Sequence, residues 1–123
     1  MQKNHCEIQH LTAADYRKEP FEKAILPLGS LESHGDHLPF GTDSITAYLL
    51  ALEIARRIPG TAVLPPLPYG MSEAYKEFSF TVSLSPETET AIIGDILESL
   101  YREGITRVFI LNDLFVHDSG RRK

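Results

Sequence analysis

The chain has 123 residues, 42% of them apolar, with a net charge of −5 and an isoelectric point near 5.5. That length suits one domain with a single hydrophobic core, small enough that a partner chain would help to cover its surface. Positive charges are scattered apart from Arg121, Arg122 and Lys123, so no basic stripe faces nucleic acid or an acidic membrane.

No apolar run approaches the roughly 20 residues of a membrane span. The opening MQKNHCEIQH carries no apolar signal segment, and Cys6, the one cysteine, makes no internal disulfide. These features describe a globular protein of the cytoplasm.

Along the chain, Ala24 to Leu28 (AILPL) reads as a short buried strand ended by Gly29, although Pro27 lies inside it. A helix follows, because Ile45, Tyr48, Leu49, Leu52 and Ala55 repeat at the spacing of one apolar face. Thr42, Asp43 or Ser44 would cap its start, and Pro59-Gly60 would stop it. Thr61 to Leu64 gives a second strand, closed by prolines at 65, 66 and 68.

Residues 69–78 (YGMSEAYKEF) read as a loop rich in aromatics, and 80–84 as a short extended piece. Ser85-Pro86-Glu87 opens a second helix with a capping serine, a proline at the first helical position and an acid in the first turn. Ile92, Ile93, Ile96, Leu97 and Leu100 form its buried face, Gly104 closes it, and Arg107 to Leu111 is a third strand. Strands alternating with helices predict a layered α/β fold on a parallel sheet, with about three main strands and two helices. In such sheets ligands gather at the carboxyl ends of the strands.

One segment at such an end is dense in titratable groups. Within Gly29–Asp43 stand Glu32, His34, Asp36, His37 and Asp43. Glu32 and His34 are two apart, so an extended backbone points both to one side. Imidazole and carboxylate together suit Zn²⁺, Mn²⁺ or Fe²⁺. Taken one at a time they have plainer readings: Asp43 as a helix cap, Glu32 and His34 as solvated loop residues, His37 as a packed histidine.

The stretch from Pro27 to Asp43, PLGSLESHGDHLPFGTD, closely resembles the P-x-G-S-x-E-x-H-G-x-H-L-P-x-x-T-D signature of the creatininase (creatinine amidohydrolase) family. Tyr69-Gly70, Ser72, Phe78 and Thr81-Val82-Ser83-Leu84 resemble its Y-G-x-S…F-P-G-T-x-S-L segment, and Gly104 to Asn112 its third-strand motif. The resemblance covers roughly residues 20–112.

It implies a metal-dependent amidohydrolase that cleaves a non-peptide C–N bond of a small cyclic or linear amide with metal-activated water. The positions of Glu32, His34 and Asp43 match metal ligands, with Asp43 bridging two ions and His34 and Glu32 on different ions. His37 matches a histidine just behind the ligands. Zn²⁺ is the first expectation, with Mn²⁺ and Fe²⁺ as alternatives, and a homo-oligomer is the expected assembly.

Three departures accompany the match. Family members are much longer, and their second half adds another acidic ligand. After Asn112 the family continues N-G-H-G-G-N with a ligand histidine, whereas here Asp113 to Gly120 intervene and the nearest histidine is His117. The F-P-G-T element is Phe78-Ser79-Phe80-Thr81, and Tyr75 stands where a histidine is frequent.

The abrupt end of the pattern leads us to expect one domain over 1–123, the N-terminal half of a creatininase-like fold with a divergent tail at 113–123, as a frameshift or early stop would leave. His117 would ligate only if that tail folded back. An inactive remnant or assembly module keeping the fold core, with a partial metal site, is the alternative function. No G-x-G-x-x-G or G-x-x-x-x-G-K-[ST] follows a strand, and Ser30 does not sit in G-x-S-x-G, so nucleotide binding and serine catalysis are disfavoured.

Overall fold

The computed structural model describes residues 5–112. Three helices and three strands follow one another as α1 (Ala13–Lys18), β1 (Lys23–Leu28), α2 (Thr42–Ala55), β2 (Thr61–Val63), α3 (Pro86–Arg102) and β3 (Arg107–Asn112). The strands make one parallel sheet in the order β2-β1-β3. The first strand is therefore central, its neighbours lie on either side of it, and its carboxyl end is where the strand order reverses.

The expected layered α/β architecture is present, with one helix more than expected. That helix, α1, is a six-residue turn started by Thr12, whose hydroxyl accepts the Asp15 N–H while Asp15 accepts the Thr12 N–H. Such reciprocal capping holds a helix too short to show an apolar stripe.

Pro27 sits in the central strand because its missing donor falls where nothing needs it. Its carbonyl accepts the Leu67 N–H at 2.9 Å, so its ring nitrogen faces the same side. On that side β2 has already ended at Val63, and the chain runs on through Pro65 and Pro66. Removing one ladder bond there costs little.

The helix α2 packs on the sheet with a different face from the one its large residues predict. Ala47, Ala51 and Ala55 are buried, together with Asp43, while Ile45, Leu49 and Leu50 are exposed, Leu49 by 60%. Alanines at i, i+4 and i+8 let the helix axis approach the sheet closely, and Ala51 and Ala55 close the core against Ile25 and Val63. Tyr48 and Leu52, two of the expected face, still pack at its margin.

The predicted start of α3 is observed: the Ser85 hydroxyl accepts the Thr88 N–H, Pro86 is the first residue, and Gly104 follows the end at φ +98°. Its apolar face is only half covered, and none of its residues is buried. The strand β3 is likewise bare at the sheet edge, with Phe109 46% and Ile110 44% exposed. A cleft lined by Leu97, Tyr101, Ile105 and Val108 separates helix from strand. Among the described residues no helix is long and apolar enough to cross a membrane.

Candidate metal centre

The chain leaves β1 at Leu28 and is caught at once by its neighbours. The Gly29 N–H donates to the Leu67 carbonyl. The Leu31 backbone pairs with Val82, and the Ser33 N–H donates to the Thr81 hydroxyl at 3.2 Å. Alternation then turns Glu32 and His34 to the other side together, as the two-residue spacing predicts. Beyond His34 the chain reverses through Gly35 at φ +80° and pairs His34 with Leu38. It reaches α2 at Thr42, one residue before Asp43.

Glu32, His34 and Asp43 converge there. One ligating atom from each lies within 4.8 Å of the others, with His34 Nε2 3.5 Å from Asp43 Oδ2 and 3.8 Å from Glu32 Oε2. Glu32 is 0% and Asp43 8% exposed. Neighbouring ligands in a tetrahedral Zn²⁺ shell stand about 3.4 Å apart, so these groups fit one divalent ion after a small contraction. Burial, followed by the charge of Asp43, pushes the Glu32 carboxyl above the usual carboxylate range, while Ser72 and His34 oppose the shift.

All three residues offered as caps of α2 have other roles. The Thr42 hydroxyl donates to the Pro39 carbonyl, Ser44 bonds the backbone of Ser30, and Asp43 faces the trio. Gly41 occupies the cap position without a side-chain bond. The plain reading of Asp43 as a cap therefore fails.

His37 is exposed and is not among the converging groups. The expectation for His117 lies outside the described residues. Cys6 packs against the core, and burial raises its thiol pKa, while His5 and His10 are exposed.

Two serines that the residue-by-residue reading passed over line the centre. Ser30 is buried, and its hydroxyl donates to Asp43 Oδ2 at 2.8 Å. Ser72, also buried, lies near enough to Glu32 to oppose the rise of its carboxyl pKa, and its N–H donates to Ser83 Oγ at 2.9 Å. The loop bearing Ser72 is wedged in place, because a Cβ on Gly70 would stand 2.7 Å from the Gly29 carbonyl oxygen. Both serines are fixed positions of the resembled motifs, and that was the available signal. Nearby, Phe40 and Phe80 pair with ring centroids 5.8 Å apart. Phe80, at the glycine position of F-P-G-T, adopts φ +57°, a left-handed backbone that glycine enters more readily.

The sequence profile of the creatininase family, described as creatinine amidohydrolase, matches residues 9–117. The chain belongs to the creatininase family. Creatinine amidohydrolase of Pseudomonas putida is 34% identical over 93 residues, which are 72% of this chain and 35% of that protein. A mycofactocin precursor peptide peptidase of Mycobacterium ulcerans (strain Agy99) is 37% identical over 71 residues, 51% of this chain and 28% of the relative.

A crystal structure of creatinine amidohydrolase superposes with a TM-score of 0.79 at 30% identity, covering 85% of this chain and 43% of that one. The chain thus spans less than half the length of these creatininase relatives. Other creatininase structures are described as an Mn form and as a Zn–Zn type.

Proposed function

We propose that this chain carries a divalent-metal centre of the creatininase type, serving hydrolysis of a C–N bond in a small cyclic or linear amide. The supporting observation is the convergence of Glu32, His34 and Asp43 at the carboxyl end of the central strand, two of them buried. Two enclosed carboxylates without a cation are unfavourable, and a divalent ion is the group that makes their burial favourable. Such an ion supplies a Lewis acid and lowers the pKa of bound water toward about 7.

The chain's own residues do the rest. Glu32 and Asp43 would contribute the negative charge that holds the ion, and His34 would contribute an imidazole nitrogen oriented by the bonds of its other ring nitrogen. Zn²⁺ is our first choice and Mn²⁺ the second, since related structures are described with both metals. The relative described as a precursor peptide peptidase makes a peptide amide the second substrate class. His37 keeps its motif match to a histidine just behind the ligands as part of this proposal, although its side chain is exposed and outside the trio. A homo-oligomer remains the proposed assembly.

A second reading has its own support. Among the described residues only these three groups converge, whereas two closely spaced ions need more carboxylates to offset their repulsion. In that reading the chain keeps the core and one ion without turnover.

Purified chain loaded with Zn²⁺ or Mn²⁺ is tested for amine or ammonia release from creatinine, linear amides, formamides and short peptides. Release that is lost in Asp43→Ala supports hydrolysis. Bound metal with no release from any of them supports the second reading.

A further inference from the structure

We propose that Ser30 is the positioning residue that makes Asp43 a metal ligand instead of a helix-terminus carboxylate. This inference rests on the metal reading of the trio. Asp43 is the second residue of α2, and the first turn of a helix leaves backbone N–H groups that attract a carboxylate. Gly41 at the cap position has no side chain to satisfy them. Left to itself, the Asp43 side chain has an alternative partner within its own helix.

Ser30 removes that freedom. Its hydroxyl proton goes to Asp43 Oδ2 at 2.8 Å, and the same oxygen faces His34 Nε2 at 3.5 Å. The donor is itself fixed from both sides by one hydroxyl of α2. The Ser30 N–H donates to Ser44 Oγ at 3.2 Å, and Ser44 Oγ donates to the Ser30 carbonyl at 3.3 Å. That clamp needs glycine beside it, since a Cβ on Gly29 would stand 2.0 Å from Ser44 Oγ.

Strand end and helix start are therefore locked in register, and the ligand oxygen is aimed by a buried, charge-assisted bond. One lone pair of Oδ2 accepts the hydroxyl, and the carboxylate keeps others for an ion. Partners of this kind behind metal ligands change affinity by about 10–100-fold when removed.

The test is the dissociation constant for Zn²⁺ and Mn²⁺, measured on the full chain by competition with an indicator chelator, with a melting curve for each variant. Ser30→Ala is expected to weaken binding about 10–100-fold. Ser30→Cys, close in size but a weaker donor, falls between it and the parent and serves if the alanine variant does not fold. Thr12→Ala removes the cap of α1, which bonds neither the trio nor the Ser30–Ser44 clamp, and it lowers the melting temperature while leaving affinity unchanged.

Parent-like affinity in Ser30→Ala and Ser30→Cys overturns the role. So does a loss no larger than that of Thr12→Ala at equal loss of stability. A parent chain that binds neither ion overturns the metal reading itself, an outcome distinct from both.

Discussion

At Glu32 the demands of folding and of ion binding oppose one another. Its carboxylate is enclosed, faces the charge of Asp43, and is held above the usual carboxylate range by burial. Glu32→Gln keeps the shape and removes the buried charge, so metal-free protein should melt higher at neutral pH while affinity for Zn²⁺ falls. Calorimetry with and without the ion checks both halves, and a lower melting point in the metal-free variant contradicts the account.

Glu89, in the first turn of α3, supplies a pH test at a residue outside the trio. Burial raises its pKa more than the bond it accepts from the Met71 N–H lowers it. A carboxyl raised in the folded state contributes stability below its unfolded pKa and loses it as pH rises through the folded value. The melting point of Glu89→Gln relative to the parent should therefore improve between about pH 4 and about pH 7. A difference that stays flat or falls across that range contradicts it.

The trio itself was legible at this scale, since two-residue spacing and a dense motif both point to Glu32 and His34. Ser30 and Ser72 were not, because a serine carries no charge and its part is visible only once the carboxylate it serves has been placed.

The element that misled the eye is α2. Counting large apolar residues selects Ile45 and Leu49, yet the buried stripe is Ala47, Ala51 and Ala55. Side-chain size predicts burial only where the partner surface leaves room, and over the central strand it does not. Ala51→Leu should then cost about 1–3 kcal/mol through overpacking, while Leu49→Ala should fall within about 0.5 kcal/mol of the parent. Urea unfolding of both variants checks this, and the reverse ranking would restore the face chosen from size alone.

The termini of α3 were legible because Ser85-Pro86 and Gly104 each have a local physical reason. The cap of α2 was not, because three hydroxyl or carboxyl residues in a row all fit the local rule. A local bond to Pro39 and tertiary contacts to Ser30 and His34 took each of them elsewhere. The substitution of Phe80 for glycine was visible in the sequence. Its left-handed backbone beside Phe40 was not.

On the scale of the molecule, parallel pairing was legible from the alternation of elements, whereas the strand order β2-β1-β3 came only with the structure. How much of the sheet stays bare was not legible either, because burial patterns within a strand do not say what covers it. Phe109 and Ile110 on β3 lie on opposite faces of an edge strand, and α3 covers its side only in part. Such surface favours self-association. Sedimentation velocity should show mass rising with concentration, and Phe109→Lys with Ile110→Lys should shift the chain toward monomer. A parent that stays monomeric throughout contradicts this part of the account.

The central claim is that Glu32, His34 and Asp43 form a metal centre. Its most direct test is the metal content of the chain purified without chelators or a metal-binding tag, beside Glu32→Ala/His34→Ala/Asp43→Ala prepared the same way. The account predicts near-stoichiometric Zn, Mn or Fe in the parent and none in the triple variant. Metal absent from both, or equal in both, would contradict it.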